Sequence, residues 1–260
     1  MVLTFYQQHK RSMAWRNTTD PYLILVSEIM LQQTQVERVA LKYPKFVTRF
    51  PDFPALAQAS PADILPVWQG MGYNRRAIAL QKCAVRVMTE FGGTLPRDVD
   101  TLETFPGIGG ATASSIVAFA FNLPVVFIET NIRRVFIHFF FSDGDQVSDA
   151  EILPLAERAL DRENPREWYW ALMDLGTSLK KSVPNPNRRS AHYTKQSAFE
   201  GSDRKIRGGI LRMLVSGQKM TAVQISRACA EEKERVAKIL GALESEGFIR
   251  KEGKYFSIVS

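Results

Sequence analysis

The chain has few of the residues that bind metals or cross-link small secreted folds. Its 260 residues include two cysteines, Cys83 and Cys229, and three histidines, His9, His138 and His192. Two thiols cannot complete a four-cysteine zinc or iron–sulfur site, and the histidines show no metal-ligand spacing. No metal or cofactor is expected, and both thiols read as small buried hydrophobes. Long apolar runs are also missing. Residues 136–141 are strongly apolar but fall far short of the ~18 residues a membrane span needs. Residues 1–11 lack the apolar segment and small-residue cleavage site of a signal peptide. A soluble cytoplasmic monomer is expected, nucleoid-associated in a prokaryote. No lysine occurs between Lys82 and Lys180, which excludes an amine nucleophile from that region.

What is present is an ordinary apolar content of 45% and a net charge of +7. The excess charge sits in one place: from Lys180 to Arg207 there are eight Lys or Arg against two Asp or Glu. Such a patch attracts polyanions, usually nucleic acid, although a solvated basic linker has the same composition. Apolar residues recur at helical spacing over 22–38, 60–70, 75–91, 110–122, 130–140, 149–161 and 167–181. Strand-like alternation is scarce before the end, so the body is predicted to be all-α. Residues 182–204, rich in Pro, Asn, Ser and Arg, read as a basic linker. After it come helices at 205–216, from Thr221, and at 231–246, then two short strands around Gly253. This pattern predicts a winged-helix-like module over 205–260, behind a helical domain over 1–181.

The segment Leu102-Glu103-Thr104-Phe105-Pro106-Gly107-Ile108-Gly109-Gly110 leads into a helix of small residues. Its glycines permit a tight turn with exposed backbone N–H groups. The following helix N-terminus adds orphan donors and a positive dipole end, a natural phosphate cradle.

That hairpin, with Ile128-Glu129-Thr130-Asn131-Ile132-Arg133-Arg134-Val135 after it, resembles the helix-hairpin-helix DNA glycosylases. In that family an acidic residue follows the hairpin by about 20 positions, and Glu129 stands 20 after Gly109. Trp15-Arg16, Asp20-Pro21-Tyr22, Ser27-Glu28-Ile29-Met30-Leu31-Gln32-Gln33-Thr34-Gln35-Val36, Trp68-Gln69-Gly70-Met71-Gly72-Tyr73 and Trp170-Ala171-Leu172-Met173-Asp174-Leu175-Gly176 are similar to the adenine glycosylase branch, in order. The resemblance implies two helical subdomains with the active site between them, acting on double-stranded DNA with a mismatched or damaged base.

Breaking an N-glycosidic bond to a purine is helped by protonating the base and by an anion facing the oxocarbenium-like sugar. Glu28, inside the apolar run Tyr22-Leu23-Ile24-Leu25-Val26-Ser27-Glu28-Ile29-Met30-Leu31, should have a raised pKa that suits the acid. Read as one helix, 22–38 puts Glu28, Gln32 and Gln35 on one face. The resemblance makes Glu129 the anion, in place of the family's aspartate, with Asn131 supporting it. It has Gln32 wedge into the duplex and Tyr73 intercalate beside the partner base. Gln33, Arg75, Gly107, Gly109, Thr112, Arg188 and Arg189 complete the expected DNA-facing set.

Several family parts are missing. Ala111 stands where relatives carry Lys, Tyr or Ser, so the implied enzyme is monofunctional. The four-cysteine loop is also missing, and no 8-oxoguanine-reading domain is expected. The expected activity is removal of adenine mispaired with 8-oxoguanine or guanine. A mismatch thymine or uracil glycosylase, or a DNA-binding protein whose site has decayed, are the alternatives.

Overall fold

Several helices in this chain start at side-chain caps. Ser60, Ser148 and Thr221 each form a capping box with the residue three positions on (Asp63, Glu151 and Gln224), satisfying N–H groups that helix ends leave open. In the computed structural model, which describes residues 1–141, 146–194 and 198–260, the helices follow in order. They are α1 (Val2–His9), α2 (Pro21–Leu31), α3 (Val36–Arg49), α4 (Phe53–Ala57), α5 (Pro61–Trp68), α6 (Arg75–Glu90) and α7 (Val99–Glu103). Then come α8 (Gly110–Phe121), α9 (Thr130–Phe140), α10 (Asp149–Ala159), α11 (Pro165–Ser182), α12 (Asp203–Val215), α13 (Ala222–Cys229) and α14 (Lys233–Ser245). Three short strands, β1 (Met220–Thr221), β2 (Ile249–Glu252) and β3 (Tyr255–Ile258), make an antiparallel sheet in the order β1-β3-β2. None of the helices among the described residues is long and apolar enough to cross a membrane.

The contacts divide the chain differently from the three consecutive segments expected. One unit comprises Met1–Glu28 and Leu95–Lys195, the other Ile29–Thr94 and Gln196–Ser260. The first is built on a core of Ile24, Phe127, Ile132, Phe136, Ile152 and Tyr169, to which α1, α8, α9, α10 and α11 contribute. In the second, the three helices and sheet of the C-terminal module bury Ile206, Ile210, Leu240 and Phe248 together with Leu65 of α5 and Ile78 of α6. The Ala62 N–H donates to the Val259 carbonyl at 3.1 Å, tying the module's last strand to the start of α5. The three helices and the sheet share their core with residues 29–94, because Leu65 and Ile78 supply apolar surface for them to cover.

The expected linker also departs from prediction. Residues 182–190 fold onto the first unit: Pro186 and Asn187 are buried, and Pro186–Arg189 is a turn of 3-10 helix. Asn187 Nδ2 donates to the Thr130 carbonyl at 2.8 Å, and Val147 and Ser190 form a parallel bridge. Lys195, part of the predicted basic stretch, lies outside the described residues.

Helix α2 corrects a second expectation. The apolar period runs through 22–38, but the helix stops at Leu31 and α3 begins at Val36. Gln33 takes a left-handed φ of +50°, which breaks the helix. The buried Arg76 guanidinium collects the carbonyls of Ile29, Met30 and Gln32 at 2.9, 2.9 and 2.6 Å, and the Thr34 hydroxyl at 2.9 Å. Gln32 and Gln35 therefore lie beyond the end of Glu28's helix and share no helical face with it.

Candidate active site

The hairpin between α7 and α8 is pinned from below. Leu102, Phe105 and Ile108 are buried, whereas Gly107, Gly109 and Gly110 are exposed. Gly107 has φ +76°, a conformation a side chain would strain, so the turn requires glycine there. Gly109 caps α8, and Thr112 lies in that helix's first turn. Exposed glycines leading into a helix N-terminus make a cradle for a phosphate oxygen.

Two carboxylates lie in the same unit. Glu28, in the last turns of α2, is largely buried, and burial pushes its pKa from the ordinary carboxylate range to about 7. A hydrogen bond from Ser115 and the positive charge of Arg16 work against that rise, and the charge of Glu129 adds to it. Desolvation by the apolar residues around Glu28 is the physical cause of that rise.

Glu129 is the N-cap of α9. Its Oε1 accepts from the Asn131 and Ile132 backbone N–H groups at 2.7 and 2.9 Å, and its Oε2 accepts from Asn131 Nδ2 at 3.2 Å. Burial raises its pKa, and the two backbone donors, Arg134 and Arg133 hold it back. Asn131 links Glu129 to Arg134, whose guanidinium donates to Asn131 Oδ1 and to the Gly176 carbonyl, both at 2.7 Å.

Gly176 lets α11 approach α9 at this point, since a Cβ there would collide with the backbone oxygen of Asn131. Gly176→Ala is expected to displace Asn131, with an overpacking cost of about 1–3 kcal/mol that lowers the melting temperature and the excision rate together. A melting curve and single-turnover excision by the purified variant check this.

The second unit holds Gln32, Gln33, Tyr73 and Arg75 of the expected DNA-facing set. Tyr73, partly exposed, has a left-handed φ of +46°. Its ring lies 5.6 Å from the Arg76 guanidinium and 5.9 Å from that of Arg204, which also donates to its hydroxyl at 2.9 Å. Arg75, expected on the DNA-facing set, instead forms a two-pronged pair with Glu246 at 2.7 and 2.8 Å, and Arg207 pairs with the same carboxylate. The cause is the folding of the C-terminal module in this unit, which brings Glu246 to Arg75. Arg188 is exposed, whereas Arg189 is partly buried and donates to the Ile137 carbonyl at 3.0 Å.

Four features escaped the sequence. Ser115 donates to Glu28 from 87 positions away. Asp174, fully buried, accepts from both Arg11 and Arg16 at 2.6 to 2.9 Å. Arg76 and Arg204 frame Tyr73. A signal existed for Arg76, a charge on an otherwise apolar helix face shared with Leu80, Cys83 and Val87.

A four-thiolate iron–sulfur cluster does not fit this chain. No cysteine follows α11 until Cys229, and Cys83 is a buried thiol pushed up to about 12 by desolvation.

Residues 26–157, which contain both carboxylates and the hairpin, match the HhH-GPD superfamily of base excision DNA repair proteins. The chain belongs to that superfamily. It is a base-excision DNA glycosylase. It is 34% identical over 230 residues to an adenine DNA glycosylase of Mycolicibacterium smegmatis, covering 82% of this chain and 78% of that one. An adenine DNA glycosylase of Mycobacterium tuberculosis is 34% identical over 236 residues, covering 82% and 77%. Among solved structures, a thermostable thymine-DNA glycosylase is similar at 27% identity with a TM-score of 0.61, covering 67% of this chain and 82% of that one.

Proposed function

We propose that this glycosylase removes adenine mispaired with 8-oxoguanine or guanine, leaving an abasic site without cutting the strand. The observation that carries the chemistry is a pair of carboxylates in one unit with different surroundings. Glu28 has a pKa near 7, and Glu129 is held by three N–H donors. Two such groups suit one acid and one anion. The choice of adenine rests on the relatives that share about a third of their residues over four fifths of this chain.

In this mechanism the proton on Glu28 passes to a ring nitrogen of the extruded base. The N-glycosidic bond breaks with its electron pair going to the base, and Glu129 faces the cationic sugar. Water adds at the sugar carbon and releases a proton. Asn131 and Arg134 keep the Glu129 carboxylate in place. Ala111 and the lysine-free stretch from Cys83 to Leu179 leave no amine in that region to attack the sugar, which supports a monofunctional enzyme. The hairpin at Gly107 and Gly109, Thr112, and the exposed Arg188 hold phosphates, with Arg189 beside them. Gln32, Gln33 and Tyr73 replace stacking around the extruded base.

A panel of duplexes carrying one A·8-oxoG, A·G, T·G or U·G pair, assayed for abasic sites by alkali cleavage, tests the proposal. Cleavage at adenine opposite 8-oxoguanine or guanine is expected. Cleavage at thymine or uracil instead would reassign the substrate, and cleavage of none would make the protein a DNA-binding relative.

A further inference from the structure

Ser115 is buried within α8, and its hydroxyl has two oxygens in reach: Glu28 Oε2 at 2.6 Å and the Thr112 carbonyl, one turn back, at 2.9 Å. A serine hydroxyl has one hydrogen, so it can donate to only one of them at a time. Among the described residues Ser115 is the one side chain hydrogen-bonded to the Glu28 carboxyl, and that bond engages Oε2 alone. The charged groups that act on Glu28 are Glu129, which favours its neutral form, and Arg16, which favours the anion.

We propose that Ser115 is a positioning residue for the proton transfer, holding Glu28 by Oε2 so that Oε1 delivers the proton. When Oε1 gives its proton to the base, the Glu28 O–H bond breaks and a base N–H bond forms. The negative charge left on the carboxylate then faces the Ser115 hydroxyl, and a hydrogen bond to an ion is stronger than one to a neutral acid. The Thr112 carbonyl is the resting acceptor for that hydrogen when the Glu28 proton sits on Oε2. Ser115 thus makes Glu28 a stronger acid than burial alone would leave it, and fixes which oxygen works. This proposal rests on Glu28 being the acid.

The test is the pH dependence of single-turnover excision from an A·8-oxoG duplex for wild type, Ser115→Ala, Ser115→Thr and Glu28→Gln, with melting temperatures measured alongside. Loss of the hydroxyl should raise the Glu28 pKa, moving the alkaline limb of the Ala variant up by roughly half to one pH unit and lowering its plateau about fivefold. Threonine keeps the hydroxyl and should return the limb to its wild-type place. A limb that stays put or moves down in the Ala variant overturns the proposal, as does one that fails to return in the Thr variant. If Glu28→Gln itself cuts as fast as wild type, Glu28 is not the acid and Ser115 has no proton to position. Loss of cleavage in Glu28→Gln with an unmoved limb in Ser115→Ala leaves Glu28 as the acid and makes Ser115 a packing residue.

Discussion

Glu28→Gln is expected to reduce single-turnover excision by roughly 10²–10⁴ while duplex binding survives. The amide keeps the shape of the side chain and can still accept from Ser115 at the position of Oε2. It has no proton to give at Oε1. The same residue sets the pH profile. With a pKa near 7, Glu28 is mostly protonated below neutrality and loses its proton as pH rises through that value. Excision by the wild type should therefore fall on the alkaline side of about pH 7. Rates measured from pH 5 to 9 check this, and a flat profile across that range, or a Gln variant with near-wild-type cleavage, would remove Glu28 from the acid role.

The second large effect is expected at Glu129. Glu129→Gln removes the charge facing the sugar, and losing one preorganised electrostatic group typically costs ~3–4 kcal/mol of transition-state stabilisation. The local hydrogen bonds sharpen the effect. Asn131 directs its Nδ2 at Glu129 Oε2 and its Oδ1 at Arg134, so it cannot rotate its amide without turning that Nδ2 toward Arg134. A glutamine amide would therefore set two NH2 groups against each other, or give up both backbone donors now capped by Oε1. Glu129→Asp should behave differently. Aspartate is a favoured N-cap and can accept from the same Asn131 and Ile132 N–H groups, so activity should be retained or increased. Single-turnover rates for both variants decide the matter. A glutamine variant as fast as wild type would mean that another group carries the charge, and a wild type inactive on every mispair that gains activity as Glu129→Asp would mark Glu129 as a relic.

Local pattern was enough for the parts that depend on neighbours in the chain. Helix α8 was predicted at 110–122 and runs Gly110–Phe121; α9 matches its prediction over 130–140. The capping residue Thr221 and the turn at Gly253 fix the ends of elements in the C-terminal module. What could not be read depends on partners far away in the sequence. The apolar period continues past Leu31, and the helix ends there because Arg76, more than forty positions on, takes its carbonyls. Ser115 looked like one more small residue in a packed helix until the fold set it against Glu28. Arg75 looked available for phosphate, and only the arrival of Glu246 from the C-terminal module pairs it. Glu28 and Glu129 are singled out by motif, and Glu28 by its apolar context as well. Their protonation depends on burial and on Arg16, Ser115, Asn131 and Arg134, which no spacing rule supplies.

The interleaving of the two units has a consequence for synthesis on the ribosome. Residues 95–195, which complete the first unit around Phe127, Phe136 and Tyr169, are made before any of the C-terminal module exists. Leu65 and Ile78 are made earlier still, yet their partners Ile206, Leu240 and Phe248 arrive well over a hundred residues later. At common elongation speeds that delay is roughly ten to thirty seconds. During that interval the nascent chain carries an uncovered apolar face on α5 and α6, a surface suited to chaperone capture. Closing it joins segments distant in the sequence, which is the slow kind of contact in folding. The Ala62 N–H, donating to the Val259 carbonyl just past β3, is what ends that exposure.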